Sequence, residues 1–229
     1  MSIELLELGA SALGEIADEV VFVGGATVSL WITDPAAPPP RPTKDVDVIV
    51  EVATRADYHA FEKRLRGAGF RGDAEVICRW HKQDSDLVLD AMPTDAALLG
   101  FENEWQREAF PRAVDVELPS GLRIRAVPPA FLLATKLEAY LGRGEGDLLG
   151  SADFADIVAL VDGREELLAE TRAAPRKLRA FVAATLEQVL ADEHVLDGVQ
   201  AQLLPDAASQ ARADLVVARL RELASIEAG

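Results

Sequence analysis

Apolar positions along the first 127 residues alternate between a period near 3.6 and a period near 2, the signature of mixed helix and strand. Residues 3–18 place Leu5, Leu6, Leu13 and Ile16 on or near one helical face, and Glu19–Val23 reads as a short buried strand. Gly24 and Gly25 follow, then Ala26–Thr33, which the pattern predicts as a helix. Asp34–Thr43 holds five prolines in ten residues and must be a stiff, extended connector. In Asp45–Val50 the character alternates strictly: Asp45 and Asp47 share one strand face, roughly 7 Å apart, while Val46, Val48 and Val50 face a core. Thr54, with Asp57 three residues on, opens a capped helix whose buried stripe is Tyr58, Phe61 and Leu65 and which Gly67 ends. Strands are predicted at Phe70, Glu75–Trp80 and Asp86–Met92, the last two joined by a turn over 81–85. Residues 94–113 (Leu98, Leu99, Phe101, Trp105, Phe110) read as helix and loop. These aromatics fit a core, and base stacking is the alternative for Trp105. Val114–Leu118 and Leu122–Val127 form a predicted hairpin about Ser120-Gly121.

Beyond Pro128-Pro129 the strand pattern stops. Pro129–Leu141 is a predicted helix with Phe131, Leu132, Leu133, Leu137 and Tyr140 as its apolar surface, and Pro129 suits its first turn. Ser151 can cap the next helix. From 163 the pattern is helical throughout, punctuated by Pro175 and Pro205, with one apolar face at Leu178, Phe181, Val182, Leu186, Val189 and Leu190 and another at Leu215, Val216, Leu220 and Leu223. The expected organisation is an α+β core over 1–127 and an α-helical C-terminal part over 128–229. No internal repeat is visible.

Composition narrows the class. At 229 residues, 49% hydrophobic and 27% charged, the chain can bury a substantial core. It has no apolar run of membrane-spanning length, and its N-terminus is acidic and lacks the basic start of a secretion signal. One cysteine, Cys78, excludes an internal disulfide framework or a multi-cysteine zinc site. A cytoplasmic protein with no membrane partner is expected. The formal charge of −16 argues against casual nucleic-acid binding. Basic residues do gather mid-chain: residues 54–127 hold 11 basic against 13 acidic, residues 1–53 only 2 against 9. Arg55, Lys63, Arg64, Arg66 and Arg71 are either a solvated helix face or a local phosphate-contacting surface.

Two carboxylates side by side on a rigid strand repel one another unless a cation stands between them, and a divalent metal is the usual one. The Gly24-Gly25 turn would let a phosphate meet bare N–H groups, or it is an ordinary strand-to-helix turn. Asp86 and Asp90 share a face of the later strand. Asp90, inside the apolar run Leu87–Met92, is the more costly to bury without a partner, and Asp86 is the more solvated of the two.

Gly24-Gly25 followed by Arg41-x-Thr43-x-Asp45-x-Asp47 resembles the nucleotidyltransferase superfamily of DNA polymerase β, and within it the AbiEii-type toxin family. The two motifs span about thirty residues, and later matches at Lys136, Arg143, Asp153 and Asp156 extend the likeness to roughly residue 160. The resemblance implies a nucleotidyltransferase fold, a mixed sheet flanked by helices, with the helices over 129–160 completing the active site. It implies Mg²⁺ at Asp45, Asp47 and Asp90, with Asp90 as the third carboxylate that takes the acceptor's proton. Gly24, Gly25 and Thr27 would cradle the β- and γ-phosphates, Arg41 and Thr43 would shape the metal and phosphate site, and Lys136 and Asp153 would join the catalytic set. Taken as residues alone, Arg41 and Thr43 are polar loop groups, Lys136 a solvated helix lysine and Asp153 a complement to a helix dipole. The activity implied is transfer of a nucleoside monophosphate from an NTP to an acceptor hydroxyl, such as a tRNA 3′ end, with an antitoxin protein as a possible partner. The competing readings are adenylylation of a small molecule of aminoglycoside type or of a protein, for which the acidity is apt, and a catalytically idle protein of the same fold.

Overall fold

The computed structural model describes residues 2–52, 54–95, 103–143 and 146–226. Leu98, Leu99 and Phe101, and Gly144-Glu145 just after the predicted helix over 129–141, lie outside them. The protein is α+β and divides into two compact units, Met1–Thr27 with Pro42–Pro128, and Val28–Arg41 with Pro129–Gly229.

The first unit is built on a seven-stranded mixed sheet: β1 Val20–Val23, β2 Asp45–Val50, β3 Phe70–Gly72, β4 Arg79–Lys82, β5 Val88–Pro93, β6 Val114–Glu117 and β7 Arg123–Ala126. Their order across the sheet is β3-β4-β5-β2-β1-β7-β6. β2 runs antiparallel to β1 and parallel to β5, so the Asp-x-Asp strand lies inside the sheet with a neighbour on each side. Val20–Phe22, Val46, Val48, Leu89 and Ala91 are fully buried, which fixes the facing of each strand. Helix α1 (Ser2–Leu13) packs there through Gly9, where an added Cβ would come within 3.2 Å of Val46. Helix α3 (Arg55–Gly67) starts as predicted: Thr54 Oγ1 accepts from the Asp57 amide, and Tyr58, Phe61 and Leu65 are buried. Trp105, on α4 (Glu104–Ala109), is buried in the core.

Three boundaries differ from the pattern-based reading. The first helix ends at Leu13 because Gly14 takes a left-handed φ of 57°, and a 3-10 turn over Gly14–Glu19 replaces the expected helical continuation. The expected helix over 26–33 is a 3-10 turn (Gly25–Thr27) and then α2, only Val28–Trp31. The strand expected at 75–80 begins at Arg79, because the Asp73 carboxylate accepts from the amides of Glu75 and Val76 (2.8 and 3.0 Å) and holds 73–76 in a turn. His81 and Lys82 are therefore strand, and the hairpin turn moves to 83–86, with Asp84 at φ 58°.

The second unit is helical: α5 (Pro129–Arg143), α6 (Ala152–Gly163), α7 (Leu167–Ala173), α8 (Arg176–Leu190), α9 (Val195–Gln202), α10 (Ala207–Gln210) and α11 (Ala213–Ala224), together with α2. Ser151 caps α6, its hydroxyl accepting from the Phe154 amide at 3.3 Å. The segment 28–41 belongs here because its polar groups bond to this unit. The amides of Thr33 and Asp34 donate to the Gly163 carbonyl, and Arg212 bridges Asp34 and Asp162. Among the described residues no helix is long and apolar enough to cross a membrane.

Candidate active site

Strand register assembles the carboxylates. Val23 of β1 is the cross-strand partner of Asp47 on β2, Asp47 of Asp90 on β5, and Asp90 of Arg79 on β4. Residues paired across strands share a face, so these four form one row perpendicular to the strands, with neighbours about 4.8 Å apart. Asp45, two residues before Asp47, lies on the same face. Asp45, Asp47 and Asp90 thus come together without any loop placing them, whereas Asp86 is exposed in the turn.

Gly24 flanks the row at the end of β1. Its φ is 81°, and a Cβ there would lie 1.8 Å from Asp47 Oδ2. Both facts require glycine: the left-handed backbone and the Asp47 carboxylate resting directly on the turn. Gly25 and Thr27 are buried. Thr27 donates from its hydroxyl to the Gly24 carbonyl (2.8 Å), so it locks the turn. α2 is one turn long, in place of the helix expected over 26–33, and offers no helix N-terminus for an anion.

Asp45 and Asp90 each meet a cation from the chain itself. Arg79 donates from Nε to Asp90 Oδ1 (2.8 Å) and from Nη2 to Asp90 Oδ2 (2.7 Å), and the same Nη2 reaches Asp45 Oδ2 at 3.3 Å. The hydrogen bonds that Arg79 donates to Asp90 hold the guanidinium protonated even more firmly than usual, against the opposing pull of burial. Thr43 donates from Oγ1 to Asp45 Oδ1 (2.9 Å), which makes it a group that orients a carboxylate. Beside Arg79, burial and the Asp90 charge push the Cys78 thiol up to about 11, so it stays protonated near neutral pH.

Whether these residues suit a magnesium ion divides by residue. Asp45 and Asp47 fit: they are hard oxygen donors on one rigid strand, and Gly24 lets the Asp47 carboxylate rest against bare backbone. Asp90 does not fit as a third ligand, because a guanidinium grips both its oxygens in a fork at 2.8 and 2.7 Å, whereas Asp45 meets Arg79 through one oxygen at 3.3 Å and a neutral hydroxyl, Thr43, through the other. Consistent with that, no three His, Cys, Asp or Glu side chains among the described residues converge to hold one metal ion.

Arg41, Lys136 and Asp153 lie in the second unit, in a network of its own. Lys136 on α5 is only 6% exposed, and its Nζ lies 3.3 Å from Asp153 Oδ1 and 2.6 Å from Asp156 Oδ2. Asp153 and Asp156 are one helical turn apart on α6 and present the same face. Arg143 grips Asp153 with two bonds (2.7 and 3.0 Å), and Arg41 donates to Asp156 Oδ2 (2.9 Å) and to the Ala152 carbonyl (3.1 Å). Burial pushes the Asp153 carboxyl up, but the Arg143 hydrogen bonds and the Lys136 charge outweigh it and hold it below the usual range.

The basic side chains of α3 are partly spent within the first unit. Arg64 pairs with Glu19, and Arg66 lies 3.8 Å from Glu62 and 5.2 Å from the Trp80 ring. The solvated-face reading accounts for these two.

The participant that pattern reading misses is Arg79. Its signal is present: with the turn at 83–86, the β4–β5 register sets Arg79 opposite Asp90. A turn at 81–85 sets Val76 there instead. Compared with models of protein families and with curated protein sequences, the chain matches none.

Proposed function

We propose that the protein is a Mg²⁺-dependent nucleotidyltransferase of the DNA polymerase β kind, similar to the AbiEii-type enzymes, moving a nucleoside monophosphate from an NTP to an acceptor hydroxyl. The observation that carries this reading is the row of Asp47 and Asp90 with Asp45 beside it, set against a glycine turn that cannot accept a side chain. In such a transfer the acceptor oxygen forms a bond to the α-phosphorus and the bond to the pyrophosphate oxygen breaks. Pyrophosphate leaves with the electron pair, and the hydroxyl proton passes to a base. Asp45 and Asp47 are the residues that would hold the divalent ion, which supplies charge neutralisation to the phosphates when bound. Thr43 fixes the rotamer of Asp45, and Gly24 leaves bare backbone beside Asp47. The reading stands on the first unit. Lys136, Asp153 and Arg41 enter it through the family likeness.

The net charge of −16 and the pairing of Arg64 and Arg66 favour a cationic small-molecule acceptor over a long nucleic acid, whereas the likeness to AbiEii favours a tRNA 3′ end. The test is incubation of purified protein with α-labelled nucleoside triphosphates and Mg²⁺, offering bulk cellular RNA in one arm and aminoglycosides in the other. Label is expected in one acceptor with wild type and in neither with Asp45→Ala or Asp47→Ala. Transfer that survives both substitutions would exclude the reading.

A further inference from the structure

Arg79 occupies the place that a second metal ion would need. An ion shared by Asp45 and Asp90 must take an oxygen from each. In this structure those oxygens, Asp45 Oδ2 and Asp90 Oδ2, converge on a single nitrogen, Arg79 Nη2, at 3.3 and 2.7 Å. The remaining Asp90 oxygen accepts from Arg79 Nε at 2.8 Å, so the carboxylate is saturated by a planar two-bond fork. The fork is not a chance surface contact. Arg79 is the antiparallel partner of Asp90 and is held between two buried residues, Cys78 and Trp80, and the Cys78 carbonyl accepts from the Ala91 amide at 2.8 Å. A guanidinium cannot be titrated away at any pH the protein tolerates.

We infer that Arg79 is a built-in second cation, so that the centre takes one divalent ion, at Asp45 and Asp47, and none at Asp90. Arg79 is a positioning residue: it fixes the Asp90 carboxylate in the row and neutralises it. The inference concerns the proposed transferase site and rests on that reading only for the expectation that a divalent ion binds there.

The test is a Mn²⁺ titration of the intact protein without nucleotide, free ion being read by electron paramagnetic resonance and folding by far-ultraviolet circular dichroism. Wild type is expected to bind one Mn²⁺ per chain. Arg79→Met releases Asp90 and is expected to bind a second ion, or the first at least tenfold more tightly. Arg79→Met combined with Asp90→Asn removes the fork with no charge left behind, and is expected to return to one ion within threefold of the wild-type affinity. Two ions on wild type would overturn the inference, as would an Arg79→Met isotherm superimposable on wild type. If Arg79→Met fails to fold because Asp90 is left without its partner, the double variant decides: an ion lost, or affinity reduced more than tenfold, shows that Asp90 is a ligand. Failure of the transferase reading looks different. Wild type that binds no Mn²⁺ while Arg79→Met binds one supports the role of Arg79 and removes the metal-dependent transferase. The expected Mn²⁺ pattern with no label transferred to any acceptor does the same.

Discussion

Aspartates cluster in both units, and the chain treats the two clusters in opposite ways. On the sheet, two carboxylates (Asp45 and Asp90) share one guanidinium, with Asp47 in the same row, and the Asp45 and Arg79 side chains are each 33% exposed. On α6, two carboxylates meet three cations, and the Asp153 and Asp156 side chains are 5% and 1% exposed. Ions taken out of water must be matched inside the protein, and the α6 cluster is matched there. Carboxylates that stay within reach of solvent and outnumber their cations leave part of the balance to something brought from outside. Residue type does not separate these cases; burial and the count of partners do. The pairing around Lys136 explains its presence by folding alone, whatever else it does.

The sharpest way to break that comparison is to remove the central cation of each cluster. Lys136→Met leaves two buried carboxylates to Arg41 and Arg143 and is expected to lower stability by about 3 kcal/mol or more in urea denaturation. Arg79→Met should cost no more than about 2 kcal/mol, since water can reach that site. If Arg79→Met proves the more damaging, the sheet cluster is the structural one and the assignment is inverted.

Gly24→Ala comes next in size. It forces a Cβ into the left-handed region and to within 1.8 Å of Asp47 Oδ2. The backbone penalty alone is of order 1–2 kcal/mol. The displaced carboxylate should in addition weaken Mn²⁺ binding, which no strain confined to the turn would do. Normal Mn²⁺ affinity in a destabilised Gly24→Ala protein would separate the glycine from the ion.

Much of the sheet was legible before the structure because β2 states its own facing. Asp-Val-Asp-Val can bury only its valines, and once β5 is seen to carry one carboxylate in an apolar run, Asp90 follows. The short-range signals at Thr54 and Ser151 were equally readable, since a cap depends on residues three apart. What stayed hidden depended on register or tertiary pairing. Arg79 was missed because the turn between β4 and β5 lies at 83–86 rather than 81–85, and the turn sets which residue faces Asp90. Lys136 looked like a solvated helix lysine because its partners lie 17 and 20 positions downstream, on another helix. Segment 28–41 read as part of the first domain because its links to Gly163 and Arg212 are long-range.

Acid sharpens the comparison within the second unit. The folded pKa of Asp153 lies below its unfolded value, so its stabilisation is fully present above the unfolded pKa, near 3.9, and is lost as pH falls through the folded value. Asp162 has the opposite sign. Burial raises its pKa and the Arg212 hydrogen bond only partly offsets this, so its contribution favours folding below about 3.9 and is lost as pH rises through the raised value. Between pH 5 and pH 3, wild type should therefore lose more stability than Asp153→Asn and less than Asp162→Asn. Denaturant midpoints at the two pH values check both, and equal slopes in all three proteins would mean that neither carboxylate is coupled to folding.

The smallest expected change is the one that tests the sheet cluster most directly. Asp45→Asn removes a 3.3 Å contact to Arg79 and weakens the Thr43 bond, but it also relieves like-charge crowding beside Asp47 and Asp90. Partly exposed pairs contribute about 0–1 kcal/mol, and the relief acts in the other direction, so stability should shift by less than about 1 kcal/mol, with either sign. The proposed transfer activity should nevertheless fall at least about a hundredfold if Asp45 holds the ion as proposed, since loss of even an outer partner of a metal site costs roughly ten- to a hundredfold. A group that the fold does not need and the chemistry does is what a solvent-reachable carboxylate on a rigid strand should be. An Asp45→Asn protein destabilised as severely as Lys136→Met would place Asp45 with the buried aspartates of α6, as part of the scaffold.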